Sequence, residues 1–149
     1  MKYVADTNIL LRWSQAGTPE CVLARDAVAR LWRDGQTVSI TPQNLVEFWS
    51  VATRPSSANG LGLTPEEANH AALDLESLFP LLPDSPAIHT LWRRLVVDAG
   101  LSGVNVHDAR LAAALRTNEV DRLLTLNVRH YSRFGVIAVN PADVLTTAS

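Results

Sequence analysis

The sequence predicts a three-layer α/β/α domain built on a central parallel sheet of about five strands, a single domain over residues 1–149. Three observations predict it. Short apolar stretches alternate with longer helical ones along the chain, the pattern of parallel strands joined by crossover helices. The strand candidates are apolar on both faces, so both faces of the sheet need cover. Four times a proline follows a hydroxyl residue, at Thr18-Pro19, Thr41-Pro42, Thr64-Pro65 and Ser85-Pro86, which pairs an N-cap with a first helical residue that needs no N–H donor.

The elements follow in order. "KYVA" is the first strand, and a short helix is expected after Asp6. Helix 19–34 starts at its Thr-Pro cap and stops at Gly35, because glycine reaches the left-handed conformation that ends helices. "TVSI" is the second strand and leads into helix 42–53. "RPSSANGLGL" (54–63) is rich in turn residues and is the best candidate for a mobile segment. Helix 65–78 opens on "TPEE", where Glu67 stands three after Thr64 and completes a capping box. "LFPLL" is a third strand, and helix 86–99 ends at Gly100. A further helix starts near Asn105 and runs through "HDARLAAALRT"; "RLLTL" and "VIAV" are the last strands, and "PADVLTTAS" is a polar-ended tail.

Composition narrows the function. Apolar residues make up 47% and charged residues 19% of the 149, a balance that supports a hydrophobic core. The net charge of -2 gives no bulk attraction to nucleic acid or anionic membrane, so any polyanion must be held by a local patch. Twelve arginines face one lysine, Lys2. The lone Cys21 excludes an internal disulfide and any multi-cysteine zinc site. No apolar run approaches the ~20 residues that span a bilayer, and no leader pattern precedes the first strand. A soluble cytoplasmic protein is expected.

In an open parallel sheet, ligands bind beyond the carboxyl ends of the strands. The polar residues there are Asp6, Thr7 and Asn8 after the first strand, Thr41 after the second, and Thr125 and Asn127 closing the fourth. Glu47 lies on helix 42–53, which is otherwise almost wholly apolar, and shares a face with Asn44 and Arg54. A carboxylate there needs a partner, and Arg54 could be it. Asp6 could equally cap the next helix, and Asp108 could serve the dipole of a helix capped by Asn105. Together the three acids carry a different meaning. Like charges at one sheet edge repel unless a cation compensates, and an all-oxygen set suits Mg²⁺ or Mn²⁺.

The stretches "VADTNILLR", "TPQNLVEFWSVATRP", "HDARLAAAL" and "RLLTLNVRHYSRFGVIAVNP" come in the order found in PIN-domain ribonucleases, and the chain resembles the VapC-type toxins of type II toxin–antitoxin pairs. The resemblance implies a metal-dependent endoribonuclease with Asp6, Glu47 and Asp108 as catalytic acids and ligands of Mg²⁺ or Mn²⁺. Thr7 and Asn8 match the small polar residues that orient the first acid. At the usual fourth acid the chain has Asn127, preceded by Thr125, and a further family acid is replaced by His130. An amide oxygen can still ligate or hold a water, but with one charge fewer a second ion is held more weakly. Arg12, Arg54, Arg129 and Arg133 lie in segments near this edge and are candidate phosphate contacts. The resemblance also implies a cognate antitoxin and a homodimer, and leaves tRNA and rRNA both open as the target.

His107 is expected to face away from the site. Trp13, Trp32, Trp49 and Trp92 all fall in helices, where packing explains them better than base stacking. Phosphoryl-transfer sites that depend on a lysine are excluded, since Lys2 stands at the wrong end of its strand, and neither a P-loop nor a G-x-S-x-G is present. The remaining alternative is a PIN-like module that binds RNA or protein with weak or no catalysis.

Overall fold

In the computed structural model, which describes residues 1–146, the strands are β1 (Lys2–Ala5), β2 (Thr37–Ser39), β3 (Arg122–Leu124) and β4 (Ile137–Val139). They form one parallel sheet in the order β2-β1-β3-β4. The helices are α1 (Thr7–Trp13), α2 (Pro19–Arg33), α3 (Pro42–Ala52), α4 (Pro65–Leu78), α5 (Pro86–Ala99), α6 (Asn105–Thr117) and α7 (Pro141–Thr146).

Side chains alternate across each strand, and the core divides accordingly. Tyr3, Ala5, Val38 and Leu124 face a cluster built from α1, α2, α3 and α4, with Phe48 and Phe79 at its centre. Val4 and Leu123 face the opposite way onto α6, with Leu111, Leu115 and Phe134. α5 packs outside α6 through Ile88, Leu91 and Leu95. The three-layer expectation therefore holds, with both faces of the sheet covered.

Capping follows the sequence closely where a hydroxyl meets a proline. The side chains of Thr18, Thr41 and Thr64 each accept a hydrogen bond from the third helical N–H, and Thr41–Asn44 and Thr64–Glu67 are reciprocal capping boxes. Each such cap is worth about 1 kcal/mol. Ser85 departs from this: it makes no side-chain cap bond. α6 departs too, since Val104 occupies the cap position and Asn105 is already helical.

The expected fifth strand, "LFPLL", shrinks to a single bridge between Ile40 and Leu81. Ile40 donates to the Pro80 carbonyl at 2.9 Å and Leu82 donates to Ile40 at 2.8 Å. Pro80 and Pro83 have no N–H to extend the ladder, so the pairing stops there and the sheet has four strands. The 54–63 loop is tied back onto α3. Leu61 and Leu63 donate to the carbonyls of Val51 and Ala52, and Gly60 donates to Pro55. The expected tail is helical over Pro141–Thr146, and its last residues, 147–149, lie outside the described residues. Among the described residues no helix is long and apolar enough to cross a membrane.

Candidate active site

The strand order places β1 and β3 side by side while their chains leave in opposite directions, to β2 and to β4. That is the topological switch point, where loops diverge and leave a crevice. Asp6 follows β1 and Thr125 follows β3 at this crevice. α3 and the N-terminal turn of α6 form its walls. The result is a pocket of about 220 Å³ lined by Asp6, Asn8, Glu47, Asp108, Asn127 and Tyr131, with Thr7, Leu11, Gln43 and His107 completing it.

Asp6 is both cap and pocket residue. It is only 6% exposed. Its Oδ1 accepts from the Thr7 N–H at 2.7 Å, capping α1. Its Oδ2 accepts from Thr125 Oγ1 at 2.8 Å, Tyr131 Oη at 3.3 Å and Asn8 Nδ2 at 3.4 Å. Burial pushes the Asp6 carboxyl up, the bonds from Thr125 and Thr7 oppose that, and the Asp108 charge adds to it. Thr125 is wholly buried and shared: its Oγ1 also accepts from Asn8 Nδ2 at 3.2 Å and from the Asn127 N–H at 3.0 Å. Asn8 Oδ1 accepts from the Leu126 N–H at 3.2 Å. These bonds lock the ends of β1 and β3 together.

Glu47 does not pair with Arg54. Among the described residues no ion pair joins them, and Glu47 Oε1 instead accepts from Gln43 Nε2 at 3.2 Å, one helical turn back. Gln43 is held in turn by the His107 carbonyl at 2.9 Å and by Arg110 at 3.1 Å. Glu47 thus lacks a cationic partner in its own helix. Burial raises its carboxyl above the usual range, and the charges of Asp6 and Asp108 add to that. Asn44 is fully buried and reaches Thr7 Oγ1 at 3.3 Å while capping with Thr41. It braces the first-strand turn and does not line the pocket.

Asp108 receives Tyr131 Oη at 3.2 Å on Oδ1, and His130 Nδ1 lies 3.5 Å from its Oδ2. Asn127 is exposed and lines the pocket rim. Of the arginines, none lines the acid pocket. Arg12 lies in a cleft beside it and donates to Gln15 Oε1 at 3.2 Å. Arg129 lies in another adjoining cleft. Arg54 is exposed, and Arg133 sits 5.0 Å over the Phe134 ring.

Three polar lining residues were not anticipated: Gln43, His107 and Tyr131. His107 lines the pocket instead of facing away, and its charge lowers the Glu47 carboxyl's proton affinity. The Tyr131 ring is buried against Phe134. Its hydroxyl nevertheless reaches two of the acids, and only the chain path after β3 reveals that.

The donor chemistry of the pocket is carboxylate and amide oxygen with no lysine or arginine among the lining residues, which fits a hard divalent ion in kind. As the side chains stand, no three of the described His, Cys, Asp or Glu residues close on a common point.

The chain is thus a parallel α/β domain with an acidic pocket at its switch point. The PIN-domain family profile matches residues 3–135. The chain belongs to the PIN-domain family. No curated protein matches its sequence. Among solved structures it is similar to VapBC2 from Rickettsia felis bound to a promoter DNA fragment, at 18% identity and TM-score 0.71, covering 94% of this chain and 98% of that one. VapBC-1 from nontypeable Haemophilus influenzae matches at 18% identity and TM-score 0.68, covering 95% and 99%. VapC20 from Mycobacterium tuberculosis, a toxin that cleaves the sarcin–ricin loop, matches at 15% identity and TM-score 0.56, covering 87% and 93%. At these identities the likeness is one of fold.

Proposed function

We propose that the chain is a metal-dependent endoribonuclease that hydrolyses RNA phosphodiester bonds, and the toxin of a toxin–antitoxin pair. One observation carries the reading: acids from three separate elements, Asp6, Glu47 and Asp108, line one pocket that no lysine or arginine neutralises. Gathering the three acids costs the fold stability, because burial raises two of these carboxyls and their mutual charges add to the cost. Asp6, Glu47 and Asp108, with the Asn127 amide oxygen, are the residues that would hold Mg²⁺ or Mn²⁺. The bound ion would supply charge for the phosphoryl oxygens and acidify a water.

The chain's own groups do the rest. Thr125 and the Thr7 N–H hold Asp6 in one rotamer. Gln43 holds Glu47 at the pocket wall through Oε1, which leaves its other carboxylate oxygen to take the proton of the attacking water. Water adds to phosphorus, the bond to one bridging oxygen breaks, and the departing oxygen is protonated from solvent. VapBC relatives of this fold supply the analogy for a cognate antitoxin, and a homodimer and a cytoplasmic location belong to the same reading.

A binding module without catalysis is the second reading, favoured by Asn127 and His130 where the family commonly has acids and by the absence of a closed ligand cluster among the described residues. Calorimetry with Mn²⁺ and cleavage of total tRNA and rRNA separate the two. Under the nuclease reading Mn²⁺ binds, RNA is cut, and Asp108→Ala abolishes both. Neither binding nor cleavage by the wild-type chain leaves the binding module standing.

A further inference from the structure

The acid pocket is the middle of three concavities, not an isolated hole. On one side it shares Asn8 and Leu11 with a cleft of about 170 Å³ that holds Arg12, Gln15, Asn59 and Leu61. On the other it shares Asn127 with a cleft of about 290 Å³ that holds Arg129, His130, Val128 and Asn140. His130 also reaches back to Asp108 at 3.5 Å, so the second cleft and the pocket have a common wall. Each flanking cleft therefore carries one arginine, and the centre carries the acids.

The polar groups in the clefts have capacity to spare. Asn140 Oδ1 accepts from the Ala142 N–H at 2.9 Å, which leaves its two Nδ2 protons for a ligand. Arg12 spends one guanidinium nitrogen on the neutral Gln15 amide and keeps its charge. Neither Arg12 nor Arg129 is in an ion pair among the described residues. A chain with net charge -2 draws no polyanion by its overall field, so these two local cations matter more than their number suggests.

We propose that the three concavities form one track for a single-stranded RNA segment, with Arg129 and Arg12 each binding a phosphate on opposite sides of the one over the acids. In this track Asn140 Nδ2 and the Asn127 amide meet the edge of the base in the Arg129 cleft. The alternation of charge is the ground for it. A polynucleotide carries a phosphate per nucleotide, and the acids repel any strand that is not gripped on both sides. The clefts are open grooves, which suits unstacked bases better than a duplex. The inference rests on the nuclease reading, since it takes the acid pocket as the place of the scissile phosphate.

The test uses the full-length chain and fluorescein-labelled oligouridylate, followed by anisotropy in EDTA over a range of salt concentrations. Each single-strand phosphate contact contributes about 0.7 to the slope of log affinity against log salt. Arg12→Ala and Arg129→Ala are each expected to flatten the slope by about 0.7 and the double variant by about 1.4, with Lys at either position restoring it. Asn140→Asp keeps the cap acceptor of α7 and replaces the donor, so it should weaken binding without lowering the melting temperature. Mn²⁺ affinity by calorimetry should be unchanged in all of them. An unchanged slope in both arginine variants overturns the track while leaving Mn²⁺-dependent cleavage, and so the nuclease reading, intact. RNA binding with the expected slopes but no cleavage in Mg²⁺ or Mn²⁺ supports the track and removes the nuclease reading.

Discussion

The phenol oxygen of Tyr131 stands 3.2 Å from Asp108 Oδ1, and it reaches Asp6 Oδ2 at 3.3 Å as well. One hydroxyl has one proton, so it can donate to only one of these carboxylates at a time. It ties α6 to the end of β1 through two groups that would otherwise repel. Burial and the surrounding carboxylates push the Tyr131 hydroxyl far up, so it remains a donor at any working pH.

Tyr131→Phe keeps the buried ring and deletes this donor. A hydrogen bond to a charged group is worth about 1.5–3 kcal/mol, and with two acceptors sharing it a stability loss of about 1–2 kcal/mol is expected in urea denaturation. The bond lowers the Asp6 proton affinity. Its removal therefore moves the acid limb of Mn²⁺ binding to higher pH, because Asp6 must lose its proton to bind. A pH profile of Mn²⁺ affinity identical to wild type would refute the role.

Thr125→Val tests the seam between β1 and β3. Valine matches threonine in shape but removes the donor to Asp6 Oδ2 and the acceptor used by Asn8 and Asn127. The bond to Asp6 is buried and the other two are part-buried, and leaving a buried partner unpaired costs about 1–3 kcal/mol. Urea denaturation should show a midpoint shift of that size with little change in slope. Stability equal to wild type would mean that water replaces the hydroxyl.

What could be read from the sequence was read where the physics is local. Hydroxyl–proline pairs locate four helix starts because cap and first turn are adjacent in the chain, and three of them bond as expected. Asp6 could be placed because strand ends are where an open sheet forms its crevice. Tyr131 and His107 escaped because their meaning is non-local. The Tyr131 hydroxyl finds Asp6, 125 residues away in sequence, only after two short turns redirect the chain. The positions of the arginines were not legible for the converse reason: a long exposed side chain near a site in sequence need not line it, and Arg12 and Arg129 lie in the adjoining clefts while Arg54 lines neither these nor the pocket. The fifth strand failed because two prolines outweigh an apolar run when a ladder needs donors.

Gly60→Ala probes the loop beside the Arg12 cleft. A methyl group at Gly60 would fall within the van der Waals envelope of the Arg54 carbonyl and Cβ. Backbone cannot yield as a flexible side chain does, so the 54–63 loop must shift. Overpacking of this kind costs about 1–3 kcal/mol. Because Asn59 and Leu61 line the same cleft as Arg12, RNA affinity should fall together with the melting temperature. An unaltered melting temperature would show that the loop packs more loosely than its hydrogen bonds indicate.

Glu47→Gln exposes the cost that the site imposes on the fold. Burial raises the Glu47 carboxyl, and the bond from Gln43 only partly offsets it. The folded chain therefore holds this proton more tightly than the unfolded chain does. Between the ordinary glutamate value and the raised one, the folded state binds more protons, so stability falls as pH rises through that window. Above the raised value the penalty is complete. The glutamine variant, which keeps an acceptor for Gln43, escapes it and should melt a few degrees higher at neutral pH without metal. That advantage should shrink as pH is lowered toward the ordinary glutamate range. Adding Mn²⁺ should reverse the order, since a ligand that binds only the folded state stabilises the chain that can hold it. Differential scanning calorimetry at several pH values, with and without Mn²⁺, reads both effects. A glutamine variant less stable than wild type at neutral pH in EDTA would mean that Glu47 is a structural residue after all.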